Sequence, residues 1–212
     1  MEHITGRTAE RPTELFSFIG GQLYGPRAVN TTTRVGEKHM VLRSHHSKIA
    51  WHEDARRFYF ASHKPPLKYF SPGLVHVAVH VRRGDVSHRS LPKRFLTNGL
   101  VALCVMRSLD MLKGMLHRSV GSMRVHVFSE GAPQDFGNLL QLPRASLHLN
   151  EPLMTTFHHM VMSDALVMAA STMSDVAAWL GVAHKQRVFA HPKAQGLLQY
   201  VHRDFAITSC DR

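Results

Sequence analysis

The sequence is short of the residues that define several protein classes. Cysteine occurs only twice in 212 residues, as Cys104 and Cys210, which excludes a disulfide framework and a four-cysteine zinc site. One disulfide at most can form, and two buried thiols is the simpler interpretation. Charged residues make up only 19% against 44% apolar residues, a balance that excludes a disordered chain. We therefore expect a globular protein.

Long apolar stretches are also missing. No window approaches the roughly 18 apolar residues of a membrane-spanning helix, and the first 21 residues lack the apolar core of a signal peptide. We expect no membrane span, and the secretory pathway and the cytoplasm both stay open as compartments. The sequence also has neither a G-x-G-x-x-G nor a G-x-x-x-x-G-K-[ST] motif, so it does not support an ordinary dinucleotide or ATP site.

Acidic residues are scarce relative to basic ones. Fifteen Asp and Glu stand against 26 Lys and Arg, which leaves a formal net charge of +11, and 17 histidines add positive charge at low pH. This excess suits a nucleotide, a sulfated glycan, an acidic membrane surface or a nucleic acid. The basic residues are scattered, with no run of five and no arginine-rich tail, so the pattern does not favour nucleic acid.

The patterning that is present predicts an α/β fold. From Leu74 onward, short apolar runs alternate with segments of helical periodicity, as in β-α-β units around a parallel sheet. We predict strands within 74–83, 123–128, 144–150, 164–170 and 186–192, and helices within 91–116, 151–163 and 174–181. Residues 74–212 are thus predicted to form a Rossmann-like parallel sheet domain, and residues 1–73 a smaller, irregular amino-terminal region. Ligands of such sheets bind at the carboxyl ends of the strands.

The segment HVRRGD, from His80 to Asp85, ends the first predicted strand. An arginine fork at Arg82 or Arg83 matches paired phosphate oxygens, Gly84 permits a tight turn, and Asp85 can orient an arginine. The alternative is a solvated arginine pair bridged to Asp85. An adhesion signal is disfavoured, because the Arg-Gly-Asp tripeptide follows directly from a strand rather than occupying a flexible loop tip.

The sequence resembles the fucosyltransferases that share an H-x-R-R-x-D motif, a group with α1,2-, α1,6- and some protein-directed members. The stretch VHVRRGDV resembles their first motif, VHVFSEG their second strand and acidic turn, and DALVMAASTMSDVAAWL with RVFAHP a later region, over residues 74–195 in all. The resemblance implies the carboxyl-terminal half of a GT-B glycosyltransferase, with 1–73 as a reduced acceptor side. It further implies inverting transfer from GDP-fucose to a glycan or glycoprotein hydroxyl, without a metal.

The resemblance also implies donor-binding residues. Arg82 would bind the diphosphate and stabilise the departing GDP, and His80 on the same strand face would contact the nucleotide; the alternative is a histidine satisfied within the strand. Asp164 resembles the acid near the guanine base, with a capping or turn aspartate as the competing interpretation. The predicted topology, separately from the resemblance, places Glu130 in the crevice after the second strand, where we expect it either to contact the ribose or to structure the turn.

Hydroxyl groups stand where the fourth predicted strand gives way to a helix. Ser171 and Ser174 can hold a phosphate together with free backbone N–H groups there, or Ser174 can simply cap the helix. The chain departs from the family at Thr172 and Met173, which stand where the family has Ser-Phe.

The catalytic base is not evident. The glutamate proposed as base in α1,6-type members corresponds to Ser90 here, and the nearby replacements are Asp85 and His88. Two other functions therefore stay open. The first is a non-catalytic module that binds a nucleotide sugar or an anionic glycan, and the second, weaker one is a basic nucleic-acid binder.

Overall fold

The computed structural model describes residues 56–117, 119–181, 187–191 and 207–210. The chain divides into two compact units, Met1–Lys64 and Pro65–Arg212. Most of the predicted amino-terminal region, 1–73, lies outside the described residues. In the first unit, residues 56–61 are helical, and the Lys64 ammonium donates to the Ser62 carbonyl at 2.6 Å and lies over the Tyr59 ring.

A parallel sheet forms the centre of the second unit. Its strands, among the described residues, are β1 Val75–His80, β2 Met123–Ser129, β3 Ala145–Leu149, β4 Ala165–Met168, β5 Arg187–Ala190 and β6 Ile207–Ser209. They are all parallel and lie in the order β3-β2-β1-β4-β5-β6. This confirms the α/β fold with a parallel sheet. The strand order reverses between β1 and β4, which is where sheets of this order open a binding crevice.

Helices cover both faces of the sheet. They are α1 Asn98–Leu116, α2 Leu153–Met162 and α3 Thr172–Leu180, with 3₁₀ turns at Val120–Ser122 and Pro133–Gln141. The valine face of β1 packs on α1 and on Pro133–Gln141 in one apolar core, whereas α2 and α3 contact β1 and β4 from the histidine-bearing face. Burial on both faces explains why every residue of β1 is buried. In the described part of the chain, no helix is long and apolar enough to cross a membrane.

The structure corrects the start of the first helix. The sequence pattern predicts a helix from residue 91 with Pro92 in its first turn, but residues 92–94 form a turn, residues 95–97 are irregular and α1 begins at Asn98. The Thr97 side chain accepts a hydrogen bond from the Leu100 N–H and caps the helix there. Arg83 also binds the Leu96 carbonyl and the Asn98 side chain, so contacts from outside the helix determine where it starts.

The interpretation of the two cysteines as buried thiols is wrong. Cys104 on α1 and Cys210 after β6 form a disulfide across 106 residues of sequence, with their Cα atoms 4.9 Å apart. Both residues are buried in the core. They meet because β6, which the sequence pattern did not predict, brings the carboxyl-terminal segment beside α1.

Candidate functional site

A cavity of about 460 Å³ opens at the carboxyl ends of the strands. Its walls are built from the segments that follow β1, β2, β3 and β4, together with the first turns of α2 and α3. They comprise His80, Val81, Arg82, Arg83, Asp85, Ser129, Glu130, Glu151, Leu153, Thr156, Ser171 and Met173. Most of the predicted site residues therefore meet in one place, because parallel strands bring their carboxyl ends to the same edge.

Arg82 is the central cation of this cavity. Its Nη1 donates to Ser171 Oγ at 3.0 Å and its Nη2 donates to Asp85 Oδ2 at 2.6 Å. Its Nε is buried and has no acceptor among the described residues. The predicted pairing of Asp85 with an arginine is confirmed, and it orients a guanidinium whose hydrogen-bonding capacity the described residues do not fill. An anionic oxygen in the cavity would compensate for that deficit.

Ser171 and Ser174 have different tasks. Ser171 is the N-cap of α3, and its Oγ accepts from the Met173 N–H as well as from Arg82. Ser174 does not cap the helix: its Oγ points inward, where it hydrogen-bonds His80 Nδ1 and accepts from the Ala169 N–H. The capping interpretation of Ser174 is therefore wrong, and the cap lies three residues earlier because β4 ends at Met168.

His80 is a neutral, oriented imidazole in the cavity wall. Burial, with a smaller contribution from the charge of Arg82, lowers the pKa of His80 to about 3. Ser174 engages Nδ1, and among the described residues no hydrogen bond to Nε2 is formed, so Nε2 is the ring nitrogen that a ligand can use. At neutral pH this side chain can offer a hydrogen bond without adding charge.

Arg83 borders the cavity, but its guanidinium is used by the protein. Its Nη1 donates to the Arg82 carbonyl, and its Nη2 donates to the Leu96 carbonyl and to Asn98 Oδ1. Its Cζ lies 4.4 Å from the centre of the Phe95 ring, and burial lowers its pKa. These contacts direct Arg83 toward the loop and the start of α1, away from a role in phosphate binding.

Glu130 lies in the cavity directly after β2, as predicted. Its carboxylate packs against Gly84, which has a φ of +72°, and a Cβ on Gly84 would clash with Glu130 Oε2. The turn after β1 and the acidic turn after β2 therefore fit together only because residue 84 has no side chain.

Three predicted site residues do not line the cavity: Asp164, His88 and Ser174, the last of which is fully buried against His80. Asp164 precedes β4 and so lies at the opposite edge of the sheet, where its Oδ2 accepts from the His76 N–H at 2.7 Å. Its contacts are those of the turn aspartate that the competing interpretation described. His88 is exposed on the loop after β1, with its ring against Phe95, and it does not line the cavity.

Sequence reasoning missed Glu151, which enters the cavity after β3. Its Oε2 accepts from Lys68 Nζ at 2.9 Å and its Oε1 from the Tyr69 hydroxyl. These hydrogen bonds, the one from Tyr69 first, lower the pKa of Glu151. The signal that could have found it is the one that selected Glu130, a carboxylate immediately after a predicted strand.

The arrangement is suited to an anionic ligand that also carries hydrogen-bond donors. Arg82 and Ser171 supply donors at one end, and the carboxylates of Glu130 and Glu151 supply acceptors toward the other. Among the described residues, His, Cys, Asp and Glu side chains form no group of three or more that could hold a metal ion.

Comparison with known proteins adds no family to this description. No protein-family model matches the sequence, and no curated protein is found to be similar to it. The resemblance to fucosyltransferases consequently stays a prediction, and the cavity is the main structural basis for a function.

Proposed function

We propose that the protein is a glycosyltransferase of the GT-B type that transfers fucose from GDP-fucose, with inversion and without a metal, to a glycan or protein hydroxyl. The observation that carries the proposal is the position of Arg82, an incompletely satisfied guanidinium held by Ser171 and Asp85 at the point where the strand order reverses. A diphosphate is the ligand whose paired oxygens match such a fork. The H-x-R-R-x-D motif supplies the class of sugar nucleotide.

In the proposed reaction, Arg82 binds the diphosphate and neutralises the negative charge that grows as GDP departs. Neutral His80 and the Ser171 hydroxyl donate hydrogen bonds without weakening that positive field. Because Asp85 is hydrogen-bonded to Arg82 itself, it lies on the leaving-group side. An inverting attack comes from the opposite side, so Asp85 serves to orient Arg82 rather than to accept the proton of the acceptor hydroxyl.

Removal of the Arg82 side chain tests the proposal. We expect Arg82→Ala to lower GDP-fucose turnover by roughly 100-fold or more, the scale of losing one preorganised charge at a leaving group. Arg82→Lys should recover part of the loss, because it keeps the charge but not the fork. The measurement is a transfer and hydrolysis assay, run beside a calorimetric titration of GDP-fucose and a thermal melt.

Arg89→Ala is the matched control, since Arg89 is an exposed arginine on the loop that follows the same strand. It should leave both binding and turnover unchanged. Full turnover in Arg82→Ala would contradict the mechanism. Arg82-dependent binding without any turnover would instead favour the alternative function, a non-catalytic module that binds a nucleotide sugar.

A further inference from the structure

Residues 68–71, which we call the strap, connect one wall of the cavity to a group of buried histidines. Lys68 Nζ donates to Glu151 Oε2 at 2.9 Å, and the Tyr69 hydroxyl donates to Glu151 Oε1. Glu151 lines the cavity. The position of this carboxylate therefore depends on the contacts that keep the strap in place.

Imidazole rings hold the strap through its backbone and its aromatic side chains. The Tyr69 N–H donates to His159 Nε2 at 3.4 Å, and His76 Nε2 lies 3.0 Å from the Ser71 nitrogen and 2.9 Å from the Ser71 carbonyl oxygen. The Phe70 ring stacks on His76 and meets His159 edge-on, with centroids 4.3 Å and 4.9 Å apart. Two buried histidines, one on β1 and one on α2, thus bind the backbone of the strap.

His159 can accept the hydrogen bond from the strap only as a neutral ring. Its Nδ1 lies 2.7 Å from the Thr155 carbonyl oxygen, and because a carbonyl only accepts, Nδ1 carries the proton. Nε2 is then the lone pair that accepts the Tyr69 N–H. A second proton, on Nε2, would place N–H against N–H there and leave the bond to Thr155 intact. Protonation of His159 therefore removes the bond that holds the strap.

We propose that His159 is a pH-sensitive switch: the neutral ring holds the strap, and protonation in acid releases the strap, which loosens Glu151 and weakens ligand binding in the cavity. Release of the strap is independent of the reaction. Only its effect on a nucleotide ligand rests on the proposed function.

The surroundings of His159 determine the direction of the pH dependence. Burial lowers the pKa of His159, and the Thr155 carbonyl opposes this effect. Because the pKa in the folded state lies below the free value of 6.5, the strap is held above pH 6.5 and is released as the pH falls through the lowered pKa. The titratable side chains that face the ring come from the strap, from β1, β2 and β3, and from the segment after β3: Lys68, Tyr69, His76, His126, His148 and Glu151.

Amide hydrogen exchange tests the switch directly. Exchange rates are measured between about pH 5.5 and 7.5 and divided by those of an unfolded chain, so that only protection remains. The Tyr69 amide should lose protection about tenfold as the pH falls. Its exchange should be insensitive to low urea, because local release exposes little surface, whereas exchange of the β2 amides should rise with urea. Nitrogen NMR of labelled histidine should find His159 as the Nδ1–H tautomer at neutral pH.

Two variants isolate the role of His159. His159→Gln keeps an oxygen that can accept from the Tyr69 N–H but cannot titrate, so it should remove the pH dependence of Tyr69 protection. His88→Gln, on the exposed loop, is the matched control and should keep it. The switch is refuted if His159→Gln keeps the wild-type dependence, if Tyr69 exchange follows urea as β2 does, or if the His159 proton lies on Nε2. The last two results decide the matter even if His159→Gln does not fold.

The effect on the cavity is measured by titrating GDP at both ends of the pH range. Wild type should lose affinity roughly fivefold more than His159→Gln as the pH falls, the scale of one lost hydrogen bond. Protonation of the GDP phosphate affects both proteins alike. An equal loss in both would refute the connection between the strap and the cavity. Absence of GDP binding at every pH would overturn the proposed function, and the exchange experiment would still decide the switch.

Discussion

Arg82 and Arg83 are adjacent and chemically identical, yet their surroundings give them different roles. The guanidinium of Arg82 lies at the cavity, and its Nε has no acceptor in the part of the chain that the structure describes. That of Arg83 is surrounded by the Phe95 ring and two acceptors at the start of α1. A guanidinium that stacks on an aromatic ring and fills its donors with protein oxygens stabilises structure. A guanidinium with an unused hydrogen-bond donor is available for a ligand. This difference in hydrogen bonding separates the role of Arg82 from that of Arg83.

Gly84 tests the residue-scale fit between the turns after β1 and β2. Its φ of +72° is strained for any other residue, and a Cβ would clash with the Glu130 carboxylate. We expect Gly84→Ala to lower the free energy of unfolding by about 1–2 kcal/mol and to weaken GDP binding, because Glu130 must move. Urea unfolding and calorimetry measure the two effects.

The matched control for that variant is Gly99→Ala, because a Cβ at Gly99, within α1, meets nothing within 4 Å. It should be neutral or stabilising, since alanine favours a helix over glycine. Equal destabilisation by both changes would show that the contact with Glu130 has no special importance.

The sequence predicts a residue of the site only where the position of that residue relative to a strand decides whether it reaches the cavity. His80, Arg82, Glu130 and Ser171 each lie at or just after a predicted strand, so the rule for parallel sheets placed them correctly. Asp164 precedes its strand and therefore belongs to the other edge. The division of labour between Arg82 and Arg83, or between Ser171 and Ser174, depends on contacts 13 to 94 residues away in sequence, and no local pattern contains them.

At the scale of elements, a row of buried histidines joins three strands. His76 Nδ1 hydrogen-bonds His126 Nε2, and His126 Nδ1 hydrogen-bonds His148 Nε2, both at 3.0 Å, and the row ends at the backbone of Ser71. A neutral imidazole has one donor and one acceptor, so a row of neutral rings satisfies itself. Extra protons on two adjacent rings would place N–H against N–H, so the hydrogen bonds of the row disfavour charging neighbouring rings together.

This row also anchors the segment that covers it. Phe70 stacks on His76 with centroids 4.3 Å apart, Tyr69 stacks on His148, and the Tyr69 N–H binds His159. The charged groups facing the row are Lys68, Arg124, Glu151 and, at the His76 backbone, Asp164. The histidines thus connect β1, β2 and β3 to the segment that positions Glu151.

Acid should destabilise the fold through these rings. Burial lowers the pKa of His80 and His126 to about 3 and that of His148 to about 4, against 6.5 for the free side chain. Between pH 6.5 and the lowered pKa values, these histidines are protonated in the unfolded chain but neutral in the folded one. The stability that the neutral rings contribute is therefore fully present above pH 6.5 and is lost as the pH falls toward 3. Each ring contributes a slope of about 1.4 kcal/mol per pH unit within its window. Urea unfolding between pH 4.5 and 7.5 measures the slope.

His126→Gln should reduce that slope by about one proton, whereas His88→Gln, on the exposed loop, should leave it unchanged. Asp175 acts in the opposite direction, because burial raises the pKa of its carboxyl to about 8. Its contribution is therefore lost as the pH rises toward 8, and maximum stability should fall near pH 6.5. A slope unaffected by His126→Gln would show that the row does not control acid stability.

The elements predicted from the sequence are those with a strong local pattern. The predicted segments contain β1, β3, β4 and β5 whole and β2 up to its last residue, Ser129, because alternation or a short apolar run marks a strand buried in a parallel sheet. β6 was missed because it has three residues and owes its strand conformation to pairing with β5. The start of α1 was misplaced because Thr97 and Arg83 decide it, and only the former is local.

At the scale of the whole molecule, the Cys104–Cys210 disulfide closes a covalent loop across 106 residues of sequence. It ties the edge of the sheet at β6 to α1, which packs on the central strands. The Arg107 guanidinium reinforces the junction by donating to the Cys210 carbonyl at 2.9 Å. Within the part of the carboxyl-terminal segment that the structure describes, 207–210, the other link to the sheet is the pairing of the three-residue β6 with β5.

Reduction or Cys104→Ser should therefore lower the free energy of unfolding by about 3–5 kcal/mol, the range for a loop of about 100 residues. We expect the loss to appear as a lower melting temperature of the second unit and as early proteolysis near residue 207. Mass spectrometry without reductant should find the intact chain two hydrogens lighter than the reduced chain.

Ser108→Ala, which removes a hydrogen bond to the Cys104 carbonyl at 2.7 Å, is a control for local disturbance of α1 and should lower the free energy of unfolding by about 1 kcal/mol. Free thiols in the folded protein, or equal melting with and without reductant, would show that the disulfide does not hold β6. Disulfides persist in oxidising compartments. We therefore also expect production of the chain in an oxidising environment to yield more folded protein than production in a reducing one.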